Sequence, residues 1–162
     1  MEGARLATCD DLATLARLAE EAVAEQVDER GGAIWAWRET RPLPALGSLE
    51  ESLGDDHQLL LAGTIDDAVV GYAGARLERL RSGELLGVVT DLFVEPGARG
   101  VGVGEALIEE VLSWCGEHGC CGVDAVALPG NRDTKNFFET FGFTARAIVV
   151  HRRLAQLAVD PG

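Results

Sequence analysis

Three glycines at alternate positions, Gly100, Gly102 and Gly104, stand between an apolar run ending at Val94 and a helical pattern from Gly102 to about Trp114. No other stretch constrains the fold as strongly. Glycine permits torsions closed to other residues and lets a ligand approach the backbone. The first amides of a helix lack intrahelical acceptors and sit at the positive end of its dipole. Strand, glycine turn and helix start, in that order, make a phosphate site or a turn packed tightly for steric reasons. A dinucleotide fingerprint needs G-x-G-x-x-G within a β-α-β unit. Here the run is G-x-G-x-G after three antiparallel strands, so the context is wrong even though Asp124 lies 20 residues beyond Gly104. The Gly-Lys-Ser/Thr of a Walker A loop is absent.

The pattern around this turn sets the fold class. Residues 4–8 read as a short strand, and Asp10-Asp11 precede Leu12, Leu15, Ala16, Leu18, Ala19, Ala22 and Val23 at helical spacing. The stretch from Ile34 to Leu53 contains Pro42 and Pro44 and is not one helix. Leu59 to Thr64, Ala68 to Leu77 and Leu85 to Val94 are apolar runs joined by Asp66-Asp67 and Arg81-Ser82-Gly83, which predicts an antiparallel meander. Val123 to Leu128 predicts a strand, Arg132 to Phe141 a helix and Thr144 to about Arg153 a last strand. The expected class is α/β, with a mixed, mostly antiparallel central sheet flanked by helices.

Size and charge narrow the function. A chain of 162 residues fits one domain, taken as 1–162, and is 47% hydrophobic and 25% charged, as a soluble globular protein is. No apolar run reaches the 18 or more residues of a membrane span, and the N-terminus lacks a secretory pattern. A cytoplasmic location is expected. The 27 acidic residues outnumber 14 basic ones, giving a net charge of −13. That field repels phosphate backbones and anionic membranes, so neither nucleic acid nor membrane is expected as a partner. It attracts a cationic amine, although its first use is solubility. Cys115, Cys120 and Cys121 fit no zinc spacing, so buried free thiols and no metal are expected.

Two motifs resemble one family. Arg99-x-x-Gly102-x-Gly104 after Leu92-x-Val94-x-Pro96 is similar to the acyl-CoA-binding motif of the GNAT family of N-acetyltransferases. Asn131 followed by Phe137-Phe138 and Gly142-Phe143 is similar to the family's second motif. The resemblance implies the GNAT fold and transfer of an acetyl group from acetyl-CoA to a primary amine of a small molecule, peptide or protein. It implies that amides of Arg99, Gly100, Val101, Gly102, Val103 and Gly104 hold the pyrophosphate. The backbone of Leu92, Phe93 and Val94 would pair with the pantetheine arm as an added strand. Asn131 would contact the cofactor, and Phe138 would pack near its sulfur. Arg132 and Lys135 either balance phosphate charge or form a solvated helix face.

The departure from the family is Phe138, where many members carry a tyrosine proposed to protonate the leaving thiolate. Phenylalanine has no proton to give. The sequence therefore also admits a weak or inactive CoA-binding module used for sensing or assembly. For the base that takes the amine proton, Asp91 on the third meander strand is the first candidate, Glu84 the second and His151 the third. Trp35 and Trp37, two apart, would share a face of an extended segment and line an acceptor pocket, or serve packing or a dimer contact. Glu39 and Glu50-Glu51 either attract the amine or are charged surface. A homodimer is expected from the frequency of dimers.

Overall fold

The computed structural model describes residues 1–154. Its strands are β1 (Glu2–Leu6), β2 (Gln58–Ile65), β3 (Ala68–Arg79), β4 (Leu85–Val94) and β5 (Gly122–Asp124). Its helices are α1 (Leu12–Gln26), α2 (Gly32–Arg38), α3 (Leu46–Leu53), α4 (Val103–Glu117) and α5 (Arg132–Thr140). The strands form one sheet in the order β1-β2-β3-β4-β5. The first four are antiparallel, and β4 and β5 are parallel, with α4 as the crossover.

The meander folds as its punctuation predicts. Asp66 and Asp67 both take positive φ, the geometry a two-residue hairpin turn needs to match strand twist. Alternation along β2 then sends Leu60 to one face of the sheet and Leu59 and Leu61 to the other. On the first face Leu60, Tyr72 and Phe93 meet Leu15 and Leu18 of α1 and Leu49 of α3. On the second, Leu59, Leu61, Ala73 and Ala75 meet Val103, Leu107, Ile108, Val111 and Cys115, one stripe of α4 at helical spacing. The start of α1 is secured by Asp11, whose carboxylate accepts from the Thr8 amide at 2.8 Å and from Arg5 at 2.7 Å.

Three expectations need correction. The parallel pairing of β5 stops at Asp124, so the strand expected to reach Leu128 is three residues long. Residues 144–154 form no strand among the described residues, and the strand expected from Thr144 is missing. The thiols are free, but only Cys115 is buried; Cys120 is half-buried and Cys121 exposed. Burial beside Cys120 pushes the Cys115 thiol up to about 12.

Candidate functional site

The site begins where β4 loses a neighbour. Gly74 pairs with Asp91 and Ala75 with Val89, so Thr90 is an extra residue in β4. Such a bulge bends a strand and strengthens its twist. Pairing with β5 covers Leu86, Gly87 and Val88, and among the described residues the edge from Val89 to Val94 carries no strand. A cleft of about 990 Å³ opens there. Leu92, Phe93 and Val94 form one wall, and Ala125, Leu128, Asn131 and Phe138 form the other.

At one end of the cleft lies the glycine turn. Gly100 and Gly102 have φ of +81° and +99°, a region that suits glycine. Gly102 caps α4, and the first i→i−4 bond of that helix runs from Ala106 to Gly102 at 3.0 Å. The amides of Val103, Gly104 and Glu105 therefore have no acceptor within the helix. Val103 itself is buried beneath the turn, and Val101 is exposed. The Arg99 side chain is a brace: its Nε donates to the Val94 carbonyl at 2.8 Å, and a terminal nitrogen meets Glu25 of α1 at 2.7 Å. Its guanidinium also lies 5.4 Å from the Phe93 ring centre.

Asn131 caps α5 by accepting from the Thr134 amide at 3.1 Å. Its side-chain nitrogen reaches Gln26 of α1 at 2.9 Å, so Asn131 links both sides of the cleft. Phe138 is buried, with the Phe143 ring tilted against it at 5.1 Å between centres.

The other end of the cleft holds a buried ion pair that the sequence did not announce. Arg41, between α2 and α3, meets Asp91 through Nε at 2.9 Å and a terminal nitrogen at 2.8 Å. Their side chains are only 10% and 7% exposed, which makes this a desolvated pair rather than a surface contact. The Tyr72 hydroxyl donates to Asp91 at 3.1 Å and the Thr90 hydroxyl at 2.7 Å. The remaining Arg41 nitrogen donates to Ser48 and to Ser52, at 2.9 and 2.7 Å. Burial, with the Asp91 carboxylate beside it, raises the Tyr72 hydroxyl well above its ordinary value and keeps it protonated. Gly74 makes room for the cluster: a Cβ there would lie 2.4 Å from an Asp91 oxygen and 3.0 Å from Arg41.

This geometry sorts the candidate residues. Asp91 lines the cleft, but its oxygens are engaged by Arg41, Tyr72 and Thr90. Glu84 is exposed at the opposite end of β4 and does not line the cleft. His151 is exposed outside any strand. Trp35 and Trp37 lie on α2, not on an extended segment, so two positions put them on different sides. Trp35 lines the cleft, whereas Trp37 is 60% exposed. Glu39 lines the same end and pairs with Arg38. Arg132 also lines the cleft, while Lys135 faces Glu139 at 3.8 Å. Among the described residues no group of three His, Cys, Asp or Glu side chains is placed to hold a metal.

A family model described as the acetyltransferase (GNAT) family matches residues 16–143, most of the chain and the whole cleft. The chain belongs to the GNAT acetyltransferase family. No curated protein matches its sequence. Solved structures share its fold at low identity. The aminoglycoside acetyltransferase AAC(6')-Iy, solved with the bisubstrate analogue CoA-S-monomethyl-acetylneamine, is 20% identical with a TM-score of 0.73, over 96% of this chain and 99% of that one. A tetramutant of the BH1408 protein from Bacillus halodurans is 21% identical with a TM-score of 0.79, over 93% and 99% of the two chains. The ribosomal-protein-alanine N-acetyltransferase from Brucella melitensis biovar Abortus 2308 is 19% identical with a TM-score of 0.68, over 96% and 100%. In this GNAT domain no described helix is long and apolar enough to cross a membrane.

Proposed function

We propose that the protein transfers the acetyl group of acetyl-CoA to a primary amine of a small molecule, peptide or protein. The observation that carries this reading is the free β4 edge from Val89 to Val94 running into the glycine turn at the start of α4. An extended arm with a pyrophosphate at one end suits that shape. Leu92, Phe93 and Val94 pair with the arm through their backbone, and amides of the turn from Arg99 to Gly104 take the phosphates. The Arg99 side chain holds the turn in place and leaves phosphate contact to the amides. Asn131 and Phe138 form the facing wall beside the sulfur. Acyl transfer to two different amine acceptors in structures of this fold supports the reaction class.

The amine nitrogen attacks the thioester carbon, the carbon–sulfur bond breaks, and the thiolate leaves with the electron pair. A backbone amide of the bulged strand stabilises the oxygen as it gains charge. Phe138 supplies no proton, so water protonates the thiolate. Asp91, saturated by three partners, holds Arg41 and the bulge in position, and the amine proton passes to water. Trp35 and Glu39 lie at the acceptor end, where the carboxylate draws the ammonium form. The working unit in this reading is a homodimer in the cytoplasm. Phe138 also favours a second reading, a CoA-binding module with little catalysis.

Thermal melting tests the donor site. Acetyl-CoA at 100 times its dissociation constant adds about 2.7 kcal/mol and raises Tm. Gly102→Glu abolishes the rise, because it strains a positive-φ position and places a carboxylate at the phosphate site. No rise with millimolar acetyl-CoA retires the reading. Thiol release with a panel of amines then separates enzyme from module. In the enzyme, Phe138→Tyr restores a proton donor and raises kcat by up to about 10²-fold, read from thiol release.

A further inference from the structure

Packing alone holds α2 weakly. The helix buries only Gly32 and Ala33, while Ile34 is 39% and Trp37 60% exposed. Among the described residues, no helix or strand packs along it as α1 and β2 pack along α3. Segments with so little buried apolar contact are the first to open. Two fastenings remain, one at each end. At the start, Gly31 turns the chain with φ of +78°. Gly32 then sits so close to the end of α1 that a Cβ there would lie 2.2 Å from the Gln26 carbonyl oxygen. At the other end Thr40 closes the last turn, its amide donating to the Trp35 carbonyl at 3.2 Å and its hydroxyl to the Ala36 carbonyl at 2.8 Å. Arg41 follows at once. Its guanidinium spans from the Asp91 carboxylate on β4 to Ser48 and Ser52 of α3. The Ser52 hydroxyl carries the link on to Gln58 of β2 at 2.7 Å. A planar group with five donors can serve both elements together.

We propose that Arg41 is a positioning residue for the amine acceptor. Its fork fastens the far end of α2 and so holds Trp35 and Glu39 at the acceptor end of the cleft. This rests on the acetyl-transfer reading and adds which half of the site the ion pair serves. The donor half has supports of its own. Arg99 braces the glycine turn against Val94 and Glu25, and Asn131 joins the start of α5 to Gln26. None of those bonds passes through Arg41. A weakened fork therefore releases α2 and the acceptor end, while the wall of Leu92, Phe93 and Val94 keeps its place.

Arg41→Lys separates this role from plain stability. Lysine keeps a charge for Asp91 and gives up the fork to α3. Hydrogen exchange is expected to quicken at 33–40 by about 10-fold or more, while β2, β3 and β4 keep their protection. Thiol release with benzylamine and putrescine as amine probes is expected to show the amine KM rising by about 10-fold or more. The KM for acetyl-CoA and the rise in Tm with acetyl-CoA stay unchanged. Loss of kcat alone, or an equal loss of acetyl-CoA affinity, overturns the proposal. So does exchange that is unchanged at 33–40 or quickens equally across the sheet. If neither amine releases thiol with the wild-type chain while acetyl-CoA still raises Tm, the result counts against the transfer reading, and the exchange pattern decides on Arg41 by itself. If Arg41→Lys does not fold, Ser48→Ala combined with Ser52→Ala cuts the fork at α3, leaves the charge pair intact and is read in the same way.

Discussion

Between Glu2 and Val94 the sheet is closed by its own chain: β2 and β3 have neighbours on both sides, and helices cover both faces. Beyond Cys121 the chain spends much less on itself. The strand β5 is three residues long, its residues are half-buried, and residues 144–154 are exposed. The first region is a scaffold in which β2 and β3 find backbone partners on both sides inside one molecule. Where the two regions meet, the described residues leave the β4 edge from Val89 to Val94 unpaired. The bulge at Thr90 separates the regions, and the ion pair of Arg41 and Asp91 holds it from the scaffold side.

If that division is right, damage on the scaffold side is costly and damage beyond β5 is cheap. The largest effect is expected from Arg41→Ala. It leaves the Asp91 carboxylate buried without its counter-charge, at about 3–5 kcal/mol, read from urea unfolding. Gly74→Ala comes next. Its methyl group drives into Asp91 and Thr90, at about 1–3 kcal/mol by the same measurement. Asp124→Asn removes a pair whose Arg146 side chain is 68% exposed, and costs about 0–1 kcal/mol. A larger loss there breaks the comparison.

On the scaffold side, a smaller effect than that of Arg41→Ala is a pH dependence. The bond from Arg5, with help from the Thr8 amide, holds the Asp11 carboxyl below its ordinary value. A depressed folded pKa means stabilisation that is complete above the unfolded value, about 3.9, and lost as pH falls through the folded one. Melting between pH 7 and 3 is expected to show that loss below about pH 4. Asp11→Asn flattens the acid limb, and an unchanged limb removes Asp11 from the account.

The legible and illegible parts of the site differ in range. The glycine turn, the cap Asn131 and the apolar wall residue Phe138 are each written in a few adjacent positions, because turn torsions and helix starts are local requirements. Arg41 and Asp91 are 50 residues apart, and neither position carries a periodic signal. Asp91 was visible as a lone charge in an apolar strand, but its occupied oxygens were not. Trp35 and Trp37 share no face because α2 is complete at Arg38, ahead of Pro42, so only Trp35 reaches the cleft. Glu84 precedes β4 at the end away from the cleft, and only the sheet register shows which end opens there.

The sequence by itself determined the meander, the glycine turn and the helix that follows it, since each rests on patterning within about a dozen neighbouring residues. Tertiary structure decided where β4 parts from β5, which charge faces Asp91 and whether residues 144–154 become a strand. Those outcomes depend on edges, on room such as Gly74 provides and on partners far along the chain. β-propensity specifies a strand only when a second strand is there to receive it.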